Sequence, residues 1–253
     1  MTGWFSRVPA YRLAALRIAV AAATLLYHIP HFERMVHRYL QCSYHTPVVA
    51  WLPELPQWAG PALLPLRRIL GIGLLFGVFP RLSAGLLAAS GFYILLLDLR
   101  FYSSNAYFHL LLLSLLACSS DRLGLMKLFR GEGAQATCPA WPERLIRIQV
   151  SIIFFYSALD KLVSPFWGAG GEMLRELFLR HPSVLQGWLS QAAGMISAGI
   201  IALEFFVAAA LIYPPLRRAG VAAVLFFAIA LEIFVAPELF PWDLMACMIL
   251  FMR

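Results

Sequence analysis

Eight apolar stretches alternate with short polar segments along the chain, at residues 11–30, 62–79, 83–98, 105–119, 144–163, 192–213, 219–236 and, shorter, 239–252. A helix rises about 1.5 Å per residue, so roughly 20 apolar residues cross the hydrocarbon layer of a bilayer. The pattern predicts an all-α protein, a polytopic helical membrane bundle of about seven to eight transmembrane helices. Several stretches are shorter than a full crossing, so their helices are expected to extend into the flanks. No internal repeat or low-complexity tract appears, and no linker marks a second domain. Residues 1–253 read as a single integral membrane domain.

Composition agrees with the pattern. The 253 residues are 61% hydrophobic and 13% charged, where a soluble domain carries about a quarter charged residues. The net charge of +7 is spread between the apolar runs, as expected of Lys and Arg that set topology and meet anionic lipid head groups. Nucleic-acid binding would gather those charges on one polar face, so no nucleic-acid partner is expected. The first apolar run contains Arg17, and "LLYHIPHFERM" after it offers no small-x-small cleavage site. It reads as a retained span rather than a signal peptide. With the N-terminus inside, Arg7, Arg12, Arg81, Arg122, Lys127, Arg130, Arg217, Arg218 and Arg253 fall on the inner side. Arg34, Arg38, Arg67, Arg68, Arg100, Arg175 and Arg180 fall outside, together with a loop over 31–61. That small bias predicts both termini inside, in the cytoplasmic membrane if the source is bacterial. Four dispersed cysteines make no disulfide framework.

Polar residues within the apolar runs carry the candidate chemistry. In "IIFFYSALDKLVSPFW", Ser157 and Lys161 lie one helical turn apart on one face, and Tyr156 and Asp160 share the adjoining one. Two readings stand for Lys161. It snorkels to the interface, or it points into the bundle, where desolvation eases loss of its proton and lets it serve as a base. Glu204, in "IIALEFFVAAAL", is the deepest acid and must be protonated or paired. In "DLRFYSSNAYFH", Asp98 and Arg100 are expected to tie a turn together, and Asn105 to cap the next helix with His109 one turn on. Arg67 and Arg68 read as interfacial anchors, and Glu232 and Glu238 lie near the last spans. His28, His31, His37 and His45 form no metal-binding register, with Pro30 set between the first two. No metal is predicted.

These residues are also those of a family. "SSNAYFHLLLLSLLACSSDRL", "WPERLIRIQVSIIFFYSALDKLVSPFWGAGGEML", "LEFFVAAALIYPPLRRAGVAAVLFF" and "FPWDLMACMILF" together resemble the horizontally transferred transmembrane (HTTM) family, which includes vitamin K-dependent gamma-glutamyl carboxylase. The most specific tract holds Arg147, Gln149, Lys161, Leu162, Trp167 and Gly168. The resemblance implies that Lys161 is a base that deprotonates a reduced, vitamin K-like quinone. It also implies a pocket lined by Asn105, Tyr107, His109, Tyr156 and Glu204, and a peptide, protein or small-molecule substrate. Two departures stand out. Asn105 occupies the position of the carboxylase's histidine, and the large exposed substrate-recognition domain has no counterpart before Arg253. A second reading, a non-catalytic subunit or a maturation or export factor for a neighbouring protein or peptide, fits those departures. It would have a membrane or redox protein as partner. A transporter would show Gly/Pro-broken helices in matching halves, and none is present.

Overall fold

A computed structural model describes residues 6–42, 44–119, 137–168, 171–180, 186–234 and 239–252. Arg122, Lys127, Arg130, Glu238 and Arg253 lie outside the described residues. Each of the eight apolar stretches falls on helix. The count of seven to eight spans does not hold, however. Among the described residues four helical stretches are long and apolar enough to cross a membrane: Tyr11–Gln41, Ala59–Phe76, Pro80–Leu97 and Ala193–Ile212. The others fail for physical reasons. Ser104–Cys118 and Leu239–Met248 are too short. Trp141–Val163 holds Arg147, Asp160 and Lys161 within its apolar part, and Arg217–Phe234 holds two arginines and Glu232.

The helices fall into two compact units, the first comprising residues 1–146 with 238–250. A three-residue strand, β1 (Arg7–Pro9), pairs antiparallel with β2 (Thr137–Pro139), Val8 facing Cys138. Between them run α1 (Tyr11–Ala23), α2 (Ile29–Gln41), α3 (Ala59–Phe76), α4 (Pro80–Leu97) and α5 (Ser104–Cys118). The segment between α1 and α2, Thr24–His28, is a π-helical turn, so the 31 residues from Tyr11 to Gln41 are one continuous helix. The expected loop at residue 31 is thus helix as far as Gln41. Pro30 lacks an N–H and cannot complete the ladder one turn back, and the wide turn just before it absorbs that defect.

Gly77 closes α3 in the left-handed region (φ 75°), where glycine meets no Cβ penalty, and Val78 N–H bonds back to Gly73. The tight turn sends α4 back along α3. Asp98 ends α4 and accepts from the backbone N–H of Arg100, starting a short 3-10 turn. Ser103, rather than Asn105, caps α5, its hydroxyl accepting from Ala106 N–H. α4 and α5 pack closely enough that Gly91 sits against the side chain of Leu110. The C-terminal helix, α12 (Leu239–Met248), packs on α1 and α5.

The second unit comprises residues 147–237 with 251–253. The long helix α6 (Trp141–Val163) begins in the first unit and continues into it, and is followed by the short helices α7 (Pro165–Gly168), α8 (Glu172–Arg180) and α9 (Gln186–Gln191). Two long apolar helices complete it: α10 (Ala193–Ile212) and α11 (Arg217–Phe234). Leu174 and Ala193 form a small core against which Trp167, Ile196 and Ile200 pack. Gly171, at φ 64°, lies so near the start of α10 that a Cβ there would stand 2.5 Å from the Ala193 carbonyl oxygen. That approach fixes the start of α8 on α10.

Candidate functional site

In the second unit, α6 and α10 bring together two of the sequence-predicted residues. Ser157 and Lys161 project from one face of α6, as their spacing requires. The Lys161 ammonium donates to both carboxylate oxygens of Glu204, at 2.9 and 3.0 Å, and to Ser157 Oγ at 2.5 Å. Ser157 in turn donates to Glu204 Oε1 at 3.0 Å. Nζ lies 5.1 Å from the centre of the Trp167 ring, a cation–π contact. Ser197 on α10, fully buried, donates to the Trp167 carbonyl at 2.5 Å and holds that segment in place. The carboxylate is 1% exposed and the lysine 15%. The lysine is therefore the open side of the pair, and the glutamate its buried counter-ion.

The same segment also exposes several apolar side chains. Phe155, Tyr156, Leu162, Val163 and Phe166 are all exposed on or just beyond α6. Tyr156 stands on the adjoining face, edge-on to Phe155 with ring centres 5.6 Å apart, and does not contact Lys161 through a polar group. Asp160 is exposed on that same side.

Asn105, Tyr107 and His109 belong to the first unit, on α5. Asn105 is half-buried at the helix start, and Tyr107 is exposed with its ring edge against Phe92. His109 turns inward into a second polar cluster, fully buried. Its Nδ1 lies 2.9 and 3.0 Å from the two oxygens of Asp243 on α12, and its Nε2 lies 3.0 Å from Thr24 Oγ1 in the π-turn. Thr24 Oγ1 donates to the Val20 carbonyl at 2.8 Å. With its one proton on the Val20 carbonyl, this hydroxyl is left as an acceptor towards Nε2. His28, also fully buried, lies against His109 with ring centres 4.7 Å apart and the planes tilted by 33°. Asp243 and Thr24 escaped the sequence reading. The available signal was a lone carboxylate inside "FPWDLMACMILF", which needs an interior partner.

Arg67 is another correction. It is fully buried rather than interfacial, because α3 begins at Ala59 and carries it to mid-helix. Nη1 donates to the Leu87 carbonyl at 2.9 Å and to Ser90 Oγ, and the guanidinium lies 4.0 Å from the centre of the Phe32 ring. Arg68 does behave as a surface residue, paired with Glu33 at 3.2 Å. The histidines separate as α2 turns. His37 is exposed, while His45 stacks on Tyr39 with ring centres 3.9 Å apart. At the end of α4, Asp98 is buried and accepts from Thr46 and, bidentately, from Arg100. Those donors hold its carboxyl well below the usual carboxylate range, and the Arg100 guanidinium is raised in return. The expected Asp98–Arg100 pair thus pins the 44–48 segment, with Leu99 N–H bonding to the Thr46 carbonyl.

Long apolar helices that bury a lysine–glutamate pair in one unit and a histidine–aspartate pair in the other define a helical integral membrane protein with polar centres inside it. Comparison with known families makes this more specific. The family model described as the HTTM domain matches residues 5–253, and the chain belongs to the HTTM family. This is a membrane domain related to the carboxylase. No curated protein matches the chain. No solved structure matches it either.

Proposed function

We propose that this protein is an integral membrane enzyme in which Lys161 is the base, acting on a lipid-soluble cosubstrate of the reduced-quinone type to modify a peptide or small molecule. The single observation that supports this reading most is the arrangement around Nζ. Nζ is held by a buried carboxylate and a hydroxyl, lies 5.1 Å from the centre of the Trp167 ring and keeps partial access from outside. A base must be neutral when it acts. In low dielectric the neutral amine–carboxylic acid form of a Lys–Glu pair gains on the ion pair, because both charges vanish together. In the proposed step Glu204 takes one ammonium proton, leaving a lone pair on Nζ. Lys161 then accepts a proton from a hydroxyl presented at its open side, and the ammonium so formed stands beside the new anion. Ser157 bridges lysine and carboxylate and holds their geometry through the exchange. Trp167, over Nζ, suits a flat hydrophobic ring; such a cosubstrate would supply an acidic hydroxyl and reducing equivalents. In this reading Tyr156, exposed on the adjoining face of α6, belongs to the approach. Both termini lie on the inner side of the membrane.

The alternative is a non-catalytic membrane subunit or a maturation or export factor. Its support is the closed ion pair, which could serve structure alone. Identification of copurifying lipids distinguishes the two readings. Protein from native membranes is expected to carry a quinone in near-stoichiometric amount, and Lys161→Ala to carry at least about tenfold less. Equal trace amounts in both would contradict the enzyme reading.

A further inference from the structure

Arg67 places an uncompensated cation in the interior of the first unit. All of its hydrogen-bonding beyond the backbone passes through Nη1, to Leu87 and Ser90. Nε and Nη2 are buried and have no hydrogen-bond partner. These two nitrogens form one edge of the guanidinium, the side-on fork whose parallel N–H bonds match the two oxygens of a carboxylate. The unit's other described acids are engaged elsewhere or exposed. Glu33 pairs with Arg68, Asp98 with Arg100, Glu143 with Arg12 and Asp243 with His109, while Glu54 is exposed. A buried guanidinium edge left without acceptors is among the costliest states a bundle interior can hold.

The same region contains a second group in that condition. His28 is fully buried and neither ring nitrogen has a hydrogen-bond partner. Its ring lies 6.5 Å from that of Phe32, the aromatic on which Arg67 is stacked, and 4.7 Å from His109. His109 is itself committed to Asp243 and Thr24. The unit therefore presents an unused planar fork stacked on Phe32 and an unused imidazole whose ring lies between those of Phe32 and His109 at 6.5 and 4.7 Å.

We infer that the interior of the first unit is a binding site for a planar oxyanion of the carboxylate class, gripped side-on by Nε and Nη2 of Arg67 with the His28 imidazole as an additional donor. The ligand neutralises the guanidinium and supplies the acceptors it lacks. This site is independent of Lys161 and of the proposed chemistry there. A small solute carboxylate and the head group of a fatty acid share the required chemistry, and the site takes its ligand from one of these sources.

Equilibrium binding of carbon-13-labelled acetate and octanoate to the full-length protein in nanodiscs, at constant ionic strength against chloride, tests the assignment. Saturable binding of at least one carboxylate, undiminished by excess chloride, is expected. Octanoate about tenfold tighter than acetate marks a lipid-borne ligand, and comparable affinities mark a small solute. Arg67→Lys loses the fork and should weaken binding by about tenfold or more. Ser90→Ala touches only the Nη1 side and should stay within about threefold of the parent. If Arg67→Lys fails to fold, His28→Asn with the parent protein carries the test, because loss of one donor should weaken binding by about threefold to tenfold. No saturable carboxylate binding by the parent, binding that chloride abolishes, or parent-like affinity in both Arg67→Lys and His28→Asn would overturn the assignment.

Discussion

At the scale of single residues, Glu204 and Asp98 illustrate two fates of a carboxylate in this protein. Glu204 is buried against a lysine with limited access to solvent. Truncating one partner of such a pair leaves the other charge without a counter-ion, which costs more than the pair itself contributes. Glu204→Leu should therefore destabilise the protein by about 3 kcal/mol, lowered somewhat because Lys161 is partly accessible, whereas Glu204→Gln keeps a hydrogen bond and should cost about 1 kcal/mol. Thermal unfolding in detergent reads both, and a Leu variant as stable as the parent would make Glu204 a bystander. Asp98 is held charged, with its carboxyl well below the ordinary range. A depressed folded-state value contributes stability that is present above the unfolded value of about 3.9 and is lost as pH falls further. Stability of the parent should thus decline below about pH 4 more steeply than that of Asp98→Asn. Arg100 is half-exposed, so the difference will be modest. Parallel acid profiles for the two proteins would rule the latch out.

At the scale of elements, the apolar stretches located the long apolar helices, because each stretch of the pattern has to bury or immerse itself somewhere, but they missed α2 beyond residue 30 and the short helices α7, α8 and α9. Nor did they locate the ends. Pro30 reads locally as a stop, yet a π-turn over Thr24–His28 carries the helix through it to Gln41. That turn is what points Thr24 and His28 at His109, so the buried cluster depends on a backbone irregularity that no periodic pattern announces. The start of α3 at Ala59 similarly turned Arg67 from an apparent anchor into an interior group. Packing between elements is the other unseen quantity. A Cβ at Gly91 would collide with Leu110, itself fully buried on α5. Gly91→Ala should therefore destabilise by about 1–3 kcal/mol, although alanine favours helix. An unchanged or raised Tm would show that α4 and α5 are packed less tightly than described.

For the whole molecule, composition and pattern were enough to give a helical membrane protein, and the resemblance gave its family. The lysine–glutamate pairing was half legible. Spacing put Ser157 and Lys161 on one face and burial demanded a partner for Glu204, but nothing in one dimension joins positions so far apart in the chain. The partnership of His109 with Asp243 was hidden for the same reason. Connectivity also makes a topological prediction. Cys42 lies beside Arg100 just after α4, while Cys118 ends α5 next to Arg81 at the start of α4. α4 is long enough to cross the membrane, so these two cysteines face opposite sides. Impermeant thiol labelling should modify Cys42 and Cys118 from opposite faces and leave the buried Cys138 and Cys247 largely unreacted. Labelling of Cys42 and Cys118 from one face would refute this arrangement.

The central claim is that Lys161 works as a base rather than as a charge that anchors a helix, and replacement by arginine tests it most directly. Arginine preserves the cation and can pair with Glu204, but guanidinium stays protonated and offers no lone pair. The measurement is oxidation of a reduced quinone in nanodiscs, with oxygen supplied as the two-electron acceptor for the deprotonated quinol, for the parent and for Lys161→Arg, with thermal unfolding of each as a control. The account predicts quinone-dependent oxygen uptake by the parent and a loss of at least about a hundredfold, the scale of general-base catalysis, in a well-folded arginine variant. A normally stable arginine variant with full activity would contradict it.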